Sequence, residues 1–191
     1  MKRKGLLIAL AIVLVVVVAL ISAFVSNNNK FVEMEESVKN AQSNVSVYLQ
    51  RRADLIPNFV ETVKAYSLHE QETYTAVTKA RSAVTQADSV DEQAQASAQL
   101  DSAIDIWVNA VTEAYPELKA DAQYIALQDE LAGSENRIAT ARNDYNKVAQ
   151  QYNISIRKFP ANIFAGILGF EKAEYFEADS DANDVPQADF S

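Results

Sequence analysis

Between Tyr124 and Tyr152, apolar or small residues stand at Tyr124, Leu127, Leu131, Ser134, Ile138, Ala141, Tyr145, Val148 and Tyr152, with spacings that alternate three and four throughout. A strand, with its period of two, cannot bury that set on one side, whereas an α-helix gathers it into a single stripe. The pattern predicts one helix from the Pro116-Glu117 start, where proline suits the first helical position, to about Arg157. It runs through Gly133, although an interior glycine costs about 1 kcal/mol relative to alanine. With four Gly and four Pro in 191 residues, the composition also favours long helices over a turn-rich β fold.

A second stripe, Phe31, Met34, Val38, Ala41, Val45 and Tyr48, would next reach Arg52 and then resumes out of register at Leu55 and Ile56, before Pro57. These features predict separate helical segments over 31–56 and 57–87. Ser67-Leu68-His69-Glu70 and Ser89-Val90-Asp91-Glu92 both have capping-box form, and the second predicts a corner at 88–91 with a helix from about residue 90. Leu100, Ile104, Trp107, Val108 and Val111 give that helix its apolar face. The expected fold is all-α, an antiparallel up-and-down helical bundle of about four long helical segments behind one N-terminal transmembrane helix. Its parts are a basic flank at 1–5, a span at 6–25, a bundle at 30–176 and an acidic tail at 177–191.

The span is Leu6 to Val25, centred near Val15: twenty residues without a charge, roughly 30 Å as a helix and so about one hydrocarbon thickness. A cleaved signal peptide would have a shorter apolar region and a better small-x-small site than Ile21-Ser22-Ala23. Lys2, Arg3 and Lys4 precede the span, while Lys30 is the only basic residue soon after it and Glu33, Glu35 and Glu36 follow. By the positive-inside rule the expected protein is a single-pass cell-membrane protein with a cytoplasmic N-terminus and an extracytoplasmic bundle; a cytoplasmic bundle is the alternative. A net charge of −9 argues against a nucleic-acid partner, and the absence of Cys excludes disulfides and thiolate chemistry.

Two polar concentrations are candidates for a network or a partner surface. In the first, RRADLIPN, the residues are Arg51, Arg52, Asp54 and Asn58; a buried Arg52 would need a carboxylate, for which Glu135 or Glu61 is suited. The second lies on the last long helix, with Glu135, Asn136, Arg137, Arg142 and a Tyr-Asn dipeptide repeated one heptad apart, Tyr145-Asn146 and Tyr152-Asn153. With the tyrosines at heptad position a, the asparagines fall about 100° round the helix. The tyrosines then fill the seam and the asparagines bond along one margin, where Ala139, Ala149 and Ile156 leave room for a neighbouring helix. Ile167, Leu168 and Phe170 in ANIFAGILGF are a candidate apolar contact, with lipid or with a partner, although packing over one end of the bundle accounts for them more simply.

Chemistry has no comparable signal. The single His69 makes no H-E-x-x-H or paired E-x-x-H set, and no nucleophile elbow, P-loop or dinucleotide fingerprint is present. The expectation is a non-enzymatic protein with no cofactor and no metal.

Several segments together resemble the LemA family of bacterial membrane-anchored proteins: the hydrophobic N-terminus, RRADLIPNFVETVKAYSLHEQET at 51–73, EAYPELKA at 113–120, LQDEL at 127–131, ENRIATARNDYN at 135–146 and YNISIRKFP at 152–160. The ending VPQADF is similar to the family's Pro-containing tail with its terminal Phe. The resemblance covers nearly the whole chain and implies a membrane-tethered antiparallel bundle without an established enzymatic mechanism. Family descriptions place the N-terminus outside and the bundle in the cytoplasm, opposite to the charge argument. Ala132-Gly133-Ser134 departs from the family's more helix-prone residues and puts rigidity near 133 in question.

The first functional expectation is a scaffold or adaptor that binds the bilayer through residues 6–25 and a membrane or envelope protein through helical faces, with homo-oligomerisation left open. A second is a sensory or regulatory protein in envelope stress signalling, shifting between two packings at Pro57 or Gly133. A third, an enzyme, would require Arg51, Arg137 and Glu135 to converge on an open cleft.

Overall fold

The structure is a computed structural model that describes residues 2–64 and 71–177. The Ser67–Glu70 cap, His69 and the tail from residue 178 lie outside the described residues. Among the described residues five α-helices follow one another: α1 (Lys2–Lys64), α2 (Gln71–Gln86), α3 (Val90–Ala114), α4 (Ala122–Arg157) and α5 (Ala161–Leu168), with a 3₁₀ turn at Pro116–Ala120 between α3 and α4. The chain forms two compact units, Met1–Asn40 with Lys147–Ala173 and Ala41–Asn146 with Glu174–Ser191.

The larger unit is an up-and-down bundle, and its polar and aromatic cross-links give the directions. Gln42 Nε2 donates to the Asp88 carbonyl, and Arg81 Nε to that of Ala53, so α2 runs antiparallel to α1. Gln93 Nε2 donates to Ser46 Oγ, and Phe59 meets Trp107 edge-on at 5.1 Å, so α3 runs with α1. Phe59 also meets Tyr124 at 5.3 Å, while Arg52 pairs with Glu135, so α4 descends again. Phe59, Trp107 and Tyr124 are all buried, a concentration of aromatic area at one level of the core. Ser89 caps α3 as its sequence predicts: its Oγ accepts from the Glu92 N–H, and the Glu92 carboxylate accepts from the N–H groups of Ser89 and Asp88.

α1 corrects the expected break at 56/57. It continues through Pro57 to Lys64, and the heptad positions Phe31, Val38, Val45, Arg52 and Phe59 are buried in an unbroken series. The reason lies on α2. Pro57 has no N–H for the carbonyl of Ala53, four residues back, and Ala53 is fully buried. The Arg81 guanidinium donates to that carbonyl at 2.9 Å, and it also lies 3.7 Å from Asp54. Arg81→Met is therefore expected to cost about 1–2 kcal/mol, the penalty of a buried unsatisfied carbonyl. In a Pro57→Ala background, where residue 57 regains its N–H, the same change should cost less than half as much in urea melts. Equal losses in both backgrounds would remove this account.

α4 keeps its predicted extent to Arg157 and passes Gly133 without interruption. It starts later than Pro116, at Ala122, because the proline opens the 3₁₀ turn and Asp121 caps the helix by accepting from the N–H groups of Gln123 and Tyr124. A Cβ on Gly133 would meet only the tip of Arg137, at 3.5 Å. Gly133→Ala should thus raise stability by up to about 1 kcal/mol, read as a shift in urea midpoint.

Candidate functional site

The first polar concentration resolves into a charge cluster within the bundle. Arg52 is 7% exposed at a position where the α1 stripe calls for an apolar residue. Its Nη1 contacts both Glu135 Oε2 on α4, one of the two expected partners, and Asp101 Oδ1 on α3. Glu61, the other candidate, is exposed. The Asp101 contact is an ion pair that leaves Oδ1 without a hydrogen bond, and the Arg52 Nε also has none. Burial pushes the Asp101 carboxyl up to about 6, with Arg52 opposing the shift and Glu135 adding to it. A cleft of about 500 Å³ opens over this cluster, lined also by Asp105, Asp129, Ile104 and Leu131.

The sign of the resulting pH dependence follows from the direction of that shift. Folded Asp101 holds its proton more tightly than the unfolded chain does, so its contribution to stability is complete below the ordinary value of 3.8 and is lost as pH rises through about 6. Asp101→Asn removes this titration. The variant should gain stability relative to the wild type between about pH 4 and about pH 7 in paired urea melts, and parallel curves would contradict the assignment.

Arg51 and Arg137 converge on Glu130 rather than Glu135, at 3.4 and 2.8 Å. Asp54 is exposed and accepts from Gln50, and Asn58 is exposed on α1, so neither joins the Arg52 cluster. Asn136 lines a separate cleft of about 420 Å³ with Arg137, Tyr48 and Asp144. Among the described residues no group of three His, Cys, Asp or Glu side chains is placed to hold a metal ion.

The Tyr-Asn repeat proves to be a set of clasps on the segment that follows α5. In one unit, Asn153 donates to the carbonyl of Ala173 and accepts from its N–H, both at 2.8 Å. In the other, Asn146 holds Phe176 in the same two-way manner, at 2.8 and 2.9 Å, and the Tyr145 hydroxyl donates to the carbonyl of Glu174. The Phe176 ring lies edge-on to Tyr145 at 5.1 Å, with the Arg142 guanidinium 5.4 Å from its centroid. Tyr145 and Tyr152 are buried in the seam, as their spacing predicts. The asparagines differ from expectation, since they grip main chain after α5 rather than a neighbouring helix. An amide side chain, with one donor side and one acceptor side, matches a single residue's N–H and C=O.

The LemA family model matches residues 41–190, more than three quarters of the sequence. The chain belongs to the LemA family. Magnetosome protein MamQ 2 of Paramagnetospirillum magneticum is 31% identical over 195 residues, covering 89% of this chain and 71% of its own. The MamQ protein of Magnetospirillum gryphiswaldense is 27% identical, covering 97% of this chain and 77% of its own. Protein LemA of Metamycoplasma hominis is also 27% identical, over 81% of this chain and 71% of its own. The matched range of this LemA-family chain contains the Arg52 cluster, the clasps and the segment they hold. Ahead of it, α1 carries an apolar run, none of it buried, which is long and apolar enough to cross a membrane. Its length, composition and exposure support membrane anchoring.

The apolar candidates divide. Phe170 packs edge-on against Phe31 at 5.3 Å and Leu168 is half-buried, whereas Ile167 is 70% exposed. Phe159, which sequence reasoning did not single out, is 81% exposed. Asp101 and Arg81 were also missed, because each acts through a partner on another helix that spacing does not reveal.

Proposed function

We propose that this LemA-family protein is a membrane-tethered scaffold or adaptor without catalytic activity, which uses the bundle to hold extended polypeptide close to the bilayer. The observation that carries the reading is the paired asparagine clasp. It binds main-chain N–H and C=O groups, so the support it gives depends little on the side chains of the segment held. Arg52, closed between two carboxylates, fits a rigid support better than a site of turnover. The charge flanks favour an N-terminus in the cytoplasm and a bundle outside it.

In-cell crosslinking of the full-length protein, with a form beginning at residue 30 as control, tests the scaffold. A small set of partners captured only by the anchored form is expected. An empty result from well-expressed protein would count against the reading. Because the chain has no Cys, a single cysteine at exposed Val47, probed with a membrane-impermeant thiol reagent, reads the orientation. Labelling of intact cells is expected, and labelling only after lysis would place the bundle in the cytoplasm.

A second reading, regulation in envelope stress, draws on Asp101. A carboxyl that titrates near 6 beside a buried Arg52 couples proton uptake to the packing of α1, α3 and α4. An inducible response that is lost in Asp101→Asn with partner capture intact would favour it.

A further inference from the structure

The corner between α4 and α5 combines three features within one unit. Phe159, Ile163 and Ile167 are 81%, 52% and 70% exposed, and Ile163 and Ile167 share one face of α5 four residues apart. From Phe159 to Phe170 the chain carries no charge, while Arg157 and Lys158 stand immediately before it, both exposed. On the side of α5 turned to α1, Phe164 meets Phe24 edge-on at 6.0 Å, and after Gly169 closes the helix in a left-handed conformation, Phe170 meets Phe31 at 5.3 Å.

These contacts fix the height of the corner along α1. Phe24 is the penultimate residue of the apolar Leu6–Val25 run, so a run that spans the bilayer sets Phe24 at the edge of the hydrocarbon. Phe31 is seven residues farther along the helix, about 10 Å beyond that edge. α5 therefore begins near the membrane boundary and climbs away from it, and Phe159 and Ile163 lie on its membrane side. Water is a poor environment for three large apolar side chains grouped at that height, and the headgroup–acyl boundary is a favourable one. Arg157 and Lys158 then fall where anionic headgroups would meet them.

We propose that the Phe159–Ile167 corner is a second membrane contact, seated in the interface of the same bilayer that α1 crosses. It rests on the reading of Leu6–Val25 as a span. Two contacts with one bilayer would fix the tilt of α1 and the C-terminal end of α4, which a single span leaves free to rotate.

The test uses the full-length protein in mixed phosphatidylcholine–phosphatidylglycerol vesicles. Single cysteines replace Phe159, Ile163 or Ile167, with Val15 as the in-span reference and Val47 as the exposed reference, and each carries an environment-sensitive fluorophore. The expected result is quenching by spin-labelled lipid at 159 and 163, weaker at 167, with loss of iodide quenching at the same positions. Position 15 should behave as lipid and position 47 as water. If 159 and 163 follow 47 while 15 reports lipid, the second contact is overturned and the span stands. If 15 itself reports water, both fall. Shielding of 159 and 163 from iodide without lipid quenching would reveal a contact between copies of the protein and would also overturn the proposal.

Discussion

Arg52→Met is expected to lower the stability of the bundle by about 3 kcal/mol, at the lower end of the cost of breaking a buried ion pair. The arginine side chain is 8% exposed, so its charge is tolerable only because Asp101 and Glu135 meet it. Once it is removed, two carboxylates face each other across the space it leaves. They are 33% and 43% exposed and can partly rehydrate, which keeps the loss from the upper end of the range. Urea denaturation followed by far-UV circular dichroism measures it, and a loss under about 1 kcal/mol would show that the cluster behaves as a surface pair. Replacing Arg52, Asp101 and Glu135 together by apolar residues should recover most of the stability, because no buried charge then remains. Exchanging Arg52 with Glu135 should recover little, since the carboxylate placed on α1 would face Asp101.

That last expectation marks where the sequence ceased to be informative. The α4 stripe was legible because its seam positions carry no charge and its register never slips, and the helix has the end that this predicts. The α1 stripe obeys the same heptad, but two residues conceal it. Arg52 reads as the end of an apolar series unless Asp101 and Glu135 are known to reach it, and Pro57 reads as a helix boundary unless Arg81 is known to take over the Ala53 carbonyl. In both cases the compensating group lies on a different helix. The family itself was legible in short motifs, and the match over residues 41–190 bears it out. The task of Asn146 and Asn153 was not, because their partners are peptide groups, which leave no mark in the choice of residues at 173 and 176.

Asn146→Ala and Asn153→Ala should each cost about 2 kcal/mol, since each removes two hydrogen bonds to partly buried main chain. The double variant should cost less than the sum. The two clasps hold residues only three apart, so losing either loosens the segment that the other must hold, and the penalty is limited to the free energy that docks residues 170–177. Phe176, buried against Tyr145 and Arg142, adds its apolar area to that limit and should be released with the segment. The expected signature is local, with cleavage near Tyr175 by a chymotrypsin-like protease in the double variant while the helical circular dichroism of α1–α4 is retained. Tyr145→Phe, which gives up one hydroxyl bond to Glu174 and keeps the ring, should leave the segment protected. Equal protection in the double variant would mean that packing of Phe176 alone retains the segment, and the clasps would lose their place as the basis of the scaffold reading.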